Sequence, residues 1–133
     1  MSQSLHINLR NRWRIPITVA SEVASRDLLC VYCSGVFSTR SGLYSRRASW
    51  EHIVNDLEIV TLENIAVSCI GCNASKGRKS LSAWLESPYC HSRGIGVKTL
   101  APVAAAALQR EEAGIQSERE RESLSFSSSG ETP

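Results

Sequence analysis

Two Cys-x-x-Cys turns, Cys30-Val31-Tyr32-Cys33 and Cys69-Ile70-Gly71-Cys72, limit what this chain can fold into more than any other feature. Thiolates three positions apart in a tight turn can reach one ion, and two such turns supply the four sulfurs that tetrahedral zinc takes in a closed structural site. The 35 residues from 34 to 68 separate the pairs. That gap is wider than in a plain zinc ribbon, so a hairpin has to fit between them. Buried or redox-active thiols are the competing reading of the same four residues. No amino-terminal apolar run resembles a signal peptide, because Arg10, Arg12 and Arg14 interrupt the region where one would sit. This favours a cytoplasmic chain that uses its cysteines for metal rather than for disulfides. No segment is long and apolar enough to span a bilayer. With four thiolates in hand, Cys90 and His91 read as a buried thiol and a surface imidazole. In so small a domain the zinc is expected to be required for folding.

A length of 133 residues allows one domain with a modest core. The net charge of +2 conceals an asymmetry: seven arginines against two acids in the first 47 residues, five bases against five acids from 48 to 100, and three against six from 101 onward. A basic front suits a polyanionic partner. Residues 1–14 read as a basic flexible arm carrying His6 and a lone aromatic, Trp13, and its arginines either touch phosphates or are simply solvated. The folded domain is expected over 15–100. Pro16 precedes Ile17, Ala20, Val23 and Ala24 at helical spacing, a packing helix that ends near Arg26-Asp27. Ser34-Gly35 close the first cysteine turn. From Phe37 to Ala48 a polar loop sets Arg40, Arg46 and Arg47 around Leu43 and Tyr44, which fits either a nucleic-acid track with stacking on Tyr44 or an exposed charged loop.

Ala48 to Val54 and Ile65 to Ser68 read as the two strands of a hairpin. The connection from Asn55 to Asn64 is long and needs internal hydrogen bonds of its own. Asn73 to Gly77 reads as a helical turn that Gly77 can break. Ser80 to Leu85 follows as an amphipathic helix with Leu81, Trp84 and Leu85 on one face, ended by Pro88. Tyr89 to Lys98 is expected to be a connection, 101–113 a C-terminal helix built on the alanine run Pro102 to Gln109, and 114–133 a disordered tail too poor in apolar residues to pack.

The chemistry gathers between Trp50 and Gly77. Glu51 and His52 set a carboxylate beside an imidazole, and Ile53-Val54 favour a strand there. Neighbours on a strand point to opposite faces, so these two share a pocket only where the strand is bent or bulged. Taken in order, CVYC, EH, LEN and CIGCNASKG resemble the HNH endonuclease family, the ββα-metal nucleases, in the variant that carries a structural zinc. The likeness covers about Arg26 to about Trp84. It implies an α+β fold, a ββα-metal (His-Me finger) core stapled by a four-cysteine zinc site of Cys30, Cys33, Cys69 and Cys72, with flanking helices.

The activity implied is divalent-metal-dependent hydrolysis of DNA phosphodiester bonds, one strand per active site. A monomer would then nick, a homodimer or two visits would cut both strands, and a partner protein would supply sequence specificity. By the same resemblance Glu51 and Asn73 hold the catalytic Mg²⁺ or Mn²⁺, His52 is the general base, and Asn64 braces the long loop so that His52 is oriented. Hard ions of that kind take few protein oxygens and keep several waters. An imidazole with an ordinary pKa near about 6.5 can take the proton of the attacking water at neutral pH. Lys76, Arg78 and Lys79, with Arg46 and Arg47, would grip phosphates without regard to sequence.

Three positions depart from the family's commonest pattern. The acid is Glu51 rather than Asp, one methylene longer. Asn73 stands where His is common, which lowers affinity for softer ions at that place. Asn55 sits where relatives often carry Pro. Two other classes of function fit the same residues: a zinc-stabilised nucleic-acid-binding module that does not cleave, and a protein-interaction zinc domain.

Overall fold

The structure is a computed structural model that describes residues 9–39 and 41–130, without the side chains of 125–130. His6 and Arg40, both singled out above, lie outside the described residues, as do 131–133. The fold is mixed α/β, with one two-stranded antiparallel sheet and five α-helices among the described residues.

Helix α1 (Ile17–Arg26) starts after Pro16 and buries Ala20, Val23 and Ala24, which are the apolar positions that its 3.6-residue spacing placed on one face. The first cysteine turn follows, and a 3₁₀ turn (Tyr44–Arg46) leads into strand β1 (Ala48–His52). β1 pairs with β2 (Ile65–Cys69) in an unbroken register from Ala48 opposite Cys69 to His52 opposite Ile65. β1 stops two residues short of the expected Val54. There the side chain of Asn64 takes over the pairing, accepting from the Val54 amide at 2.7 Å.

All five residues of β2 are buried, so its outer edge cannot rely on water for its backbone groups. The amide of Val67 donates to the Asp27 carboxylate at 2.9 Å and its carbonyl accepts from the Val31 amide at 3.2 Å. The Ile65 carbonyl accepts from the Arg26 guanidinium at 2.8 Å. Thus the end of α1 and the first cysteine turn seal one side of the sheet. Because Val67 and Ile65 direct their backbone groups outward, their partners Trp50 and His52 face the free edge of β1 with theirs.

Helix α2 (Ile70–Lys76) leaves β2 directly and returns across β1. It ends at Gly77, whose φ of 51° and ψ of −123° lie where a side chain would be strained. Helix α3 (Leu81–Leu85) is capped by Ser80, whose hydroxyl accepts from the Ala83 amide. Helix α4 (Pro88–Arg93) occupies the stretch expected to be a connection. Ser87 caps it and Pro88 takes its first position, where a missing N–H costs nothing. Pro88 therefore begins a helix as well as following one.

Helix α5 (Pro102–Gly130) runs well past 113, through the segment expected to be disordered. Low apolar content removes packing but not helix propensity. Glu, Arg, Gln and Ala are strong helix formers, and Gln116 donates to Glu120 one turn on at 3.2 Å. Its first turns are the anchored part. Ala104, Ala107 and Leu108 join the core, and the Glu111 carboxylate accepts from the Leu81 and Ser82 amides at 3.0 and 2.8 Å, capping α3 from outside. Trp84 of α3 sits at the centre of the core, edge-on to Tyr32 with ring centroids 5.0 Å apart. The segment expected to be a flexible arm is in part docked: Leu9 and Trp13 pack against the core, and Asn11 clamps the amide and carbonyl of Ile15.

Asp27 is the keystone of the sealed edge, buried while serving both Arg26 and the Val67 amide. Asp27→Ala is expected to lower stability by about 2–4 kcal/mol, since it strands a buried amide and an ion-pair partner together. Asp27→Asn should cost less, and urea denaturation of the two variants separates these outcomes.

Candidate functional site

The four cysteines of the two turns come together from three elements. Cys30 and Cys33 come from the turn after α1, Cys69 from the last position of β2 and Cys72 from the first turn of α2. Their sulfurs lie within 4.8 Å of one another, with Cys33 and Cys69 at 4.0 Å. Four sulfurs at about 2.3 Å from a tetrahedral zinc would be about 3.8 Å apart, so a small inward adjustment closes the cluster on one ion. The turn is built for it. The Ser34 amide donates to the Cys30 carbonyl at 3.0 Å, and Ser34 takes a φ of 61° to let the chain double back.

Sharing hydrogen bonds with Cys30 and the other thiols pulls Cys33 below the ordinary thiol range, and Cys69 is lowered to about 6 chiefly by its bond with Cys30. Cys30 and Cys72 are pushed up, by their sulfur neighbours first and by burial as well. The same group cannot ionise at all four positions without positive charge between them. The four cysteines can hold a metal ion such as zinc.

Arg46, expected on phosphates, is directed at this centre. Its guanidinium donates to Cys33 and Cys69 Sγ at 3.5 and 3.7 Å and to the Val36 carbonyl at 3.1 Å. The bond to Cys33 is the main cause that raises its own pKa. Gly35 makes room for it, because a methyl at that position would collide with the guanidinium. Tyr89 donates to Cys72 Sγ at 3.7 Å from the other side. Cys90 is buried and His91 exposed, neither of them in the cluster.

The second group of sequence candidates is divided by the regular strand. β1 carries no bulge, so Ser49 and Glu51 face α2 while Trp50 and His52 face away. Glu51 is buried, its Oε2 accepting from the Tyr32 hydroxyl at 2.7 Å with the Lys76 ammonium at 3.5 Å. Burial raises its pKa, against the pull of Lys76 and of the Tyr32 bond. Lys76, expected on phosphates, is fully buried. Its Nζ donates to the Ile53 carbonyl at 2.7 Å, because its helical position four residues after Cys72 turns it inward.

His52, on the opposite face, is 5% exposed, and the Trp13 ring lies edge-on to it with centroids 5.9 Å apart. Its Nε2 is buried without a hydrogen-bond partner. Burial lowers its pKa, with Lys76 acting the same way and Asp56 opposing, so the imidazole is neutral at pH 7. Asn73 reaches the free edge of β1. Its amide nitrogen donates to the Trp50 carbonyl at 2.9 Å and to Ser49 Oγ at 3.1 Å, leaving the carboxamide oxygen as the atom it can offer an ion. Asn64 closes the long loop with three bonds, to the Val54 amide and carbonyl and to the Ile59 carbonyl, between 2.7 and 3.1 Å.

Arg78 and Lys79 are exposed after α2, and Lys79 touches the Ser75 carbonyl. Arg47 lies over the Tyr44 ring, 5.4 Å from its centroid. Residues that sequence reasoning did not place are Trp13, which covers His52, and Tyr32, which holds Glu51. A lone tryptophan in a basic arm carries no spacing signal for such a contact. Among the described residues, no helix is long and apolar enough to cross a membrane. No protein-family model matches the sequence, and no curated protein or solved structure is significantly similar to it.

Elemental analysis of the purified chain is expected to find one tightly held metal ion, and Cys69→Ser to lose both the ion and the cooperative unfolding transition. A folded Cys69→Ser protein with its metal intact would refute the closed centre. Lys76→Ala should destabilise by about 3–5 kcal/mol, the cost of leaving the Glu51 charge buried alone. A surface phosphate contact, by contrast, would leave the melting curve unmoved.

Proposed function

We propose that this chain is a zinc-stapled nuclease of the HNH type, a ββα-metal domain that hydrolyses phosphodiester bonds with the help of a divalent ion such as Mg²⁺ or Mn²⁺. The observation that supports it most is the buried, unpartnered Nε2 of His52. Buried polar atoms nearly always find partners, and a catalytic role is one of the reasons that leave an exception in a native protein. This one falls on the last residue of β1, in a hairpin followed at once by the helix that carries Asn73.

Within this reading a divalent ion supplies charge to offset that of the phosphorane and the leaving oxygen. The carboxamide oxygen of Asn73 is the group that would hold it; Glu51, which the unbulged β1 turns to the face opposite His52, would join it only with a bend in the strand. Asn73 is already oriented for this, because its nitrogen is fixed by the Trp50 carbonyl and Ser49. His52, kept neutral by burial, accepts the proton of the attacking water at Nε2. Asn64 pins the loop that begins one residue after His52. For the reaction to proceed, Trp13 must leave the imidazole and Glu51 must turn from Lys76 and Tyr32.

That last requirement favours a second reading, in which the domain binds nucleic acid and does not cut. Glu51 has two strong partners, and a carboxylate so engaged makes a structural ion pair as readily as a ligand. The readings separate on supercoiled plasmid with Mg²⁺ or Mn²⁺. The nuclease nicks it, and His52→Ala loses at least about 10²-fold in rate while keeping its metal content and salt-sensitive binding. Equal binding by both proteins with no nicking by either selects the binding module.

A further inference from the structure

Beside Asn73 a groove of about 280 Å³ is walled by Trp13 and Tyr44 and floored by Trp50, Ile70, Ser49 and Asn73. Among the described residues, no carboxylate lines it. The Arg12 guanidinium stands 5.2 Å from the centroid of the Trp13 ring and that of Arg47 stands 5.4 Å from the centroid of Tyr44, so positive charge flanks both aromatic walls. Tyr44 is 66% exposed, so its ring is accessible to a ligand entering the groove. The polar groups of the floor are the hydroxyl of Ser49 and the carboxamide of Asn73. A second groove of about 260 Å³ shares Trp13 and Trp50 with the first and adds Leu9 and Arg10.

We infer that the Trp13–Tyr44 groove receives a single unstacked nucleobase, and that the substrate is therefore a single-stranded or locally opened nucleic acid rather than a continuous duplex. This rests on the nucleic-acid reading above and names its substrate class. The chemistry of the groove fits a base on each count. Aromatic walls offer a stacking face that tolerates any base, a polar floor meets the base edge, and arginines at the walls meet the phosphates on either side. A base inside a duplex already has both faces covered by its neighbours and cannot enter. Asn73 lines the same groove, so the phosphate next to the held base is brought to the residue expected to hold the ion. The adjoining groove across Trp13 continues the track for the next nucleotide.

The test uses the full chain and fluorescence anisotropy with a labelled mixed-sequence oligonucleotide, single-stranded or annealed to its complement, without added magnesium or manganese. The single strand is expected to bind more tightly than the duplex. Tyr44→Ala should weaken single-strand binding by about tenfold and leave duplex binding nearly unchanged, whereas Tyr44→Phe, which keeps the ring, should bind like the wild type. Quenching of tryptophan emission by the single strand is a second readout, expected to shrink in Trp13→Phe. Equal affinity for both forms, or a Tyr44→Ala protein indistinguishable from wild type, overturns the inference and leaves the nuclease reading standing. Failure of the wild type to bind any nucleic acid at low salt overturns both.

Discussion

Four sulfurs packed within 4.8 Å of one another make a cluster that can close on a single metal ion, and the elements that carry them meet at that point. Two of the thiols sit on the turn after α1, and the other two at the junction where β2 becomes α2. An ion held there would fasten the helical half of the molecule to the hairpin at one point. The same point fixes where α2 begins and hence its rotational phase. Lys76 comes one turn after Cys72 and so points inward, while Asn73 lies a residue round the helix and reaches the strand edge. Arg46 and Tyr89 donate to the sulfurs from outside, spreading the thiolate charge in the way that outer hydrogen bonds tune metal ligands generally.

How much of this could be read from the chain depends on the range of the interaction. The cysteine pairs, the α1 stripe and the two strands are written in local spacing, and each lies close to where periodicity put it. The length of the ten-residue connection said only that it needs hydrogen bonds of its own; that Asn64 makes them was implied by the resemblance and not by local spacing. Lys76 and Arg46 were misplaced because charge was read as exposure. Nothing local to either residue says that Glu51 waits inside for one and a thiol pair for the other. The helix at Pro88 was missed because proline was read as an ending, although Ser-Pro is equally a beginning. Trp13 was beyond reach, since its partner lies in another element and no pattern links the two.

β1 is the strand on which these contacts converge. One of its edges is paired to β2, its other edge is met by the Asn73 side chain at the Trp50 carbonyl, and Lys76 bonds to the carbonyl of Ile53 just past its end. A free strand edge is a liability in water, and here it is covered by the helix that also bears the candidate ion ligand. The result is a division by face. Buried charge is balanced on the side of α2, and an imidazole is shielded by an indole on the other, with the carboxamide at the rim between them.

The clip made by Asn64 has a consequence for how this domain can vary. It joins Val54 to Ile59, so the four residues from 55 to 58 form a bight closed off from the strand beneath. Chain let into the tip near Asn55 would pay only the slowly growing entropy of a longer loop, with the strand ends still held in place. The hairpin can therefore change its outer contour, and with it whatever that contour touches, while its last strand residue stays where it is.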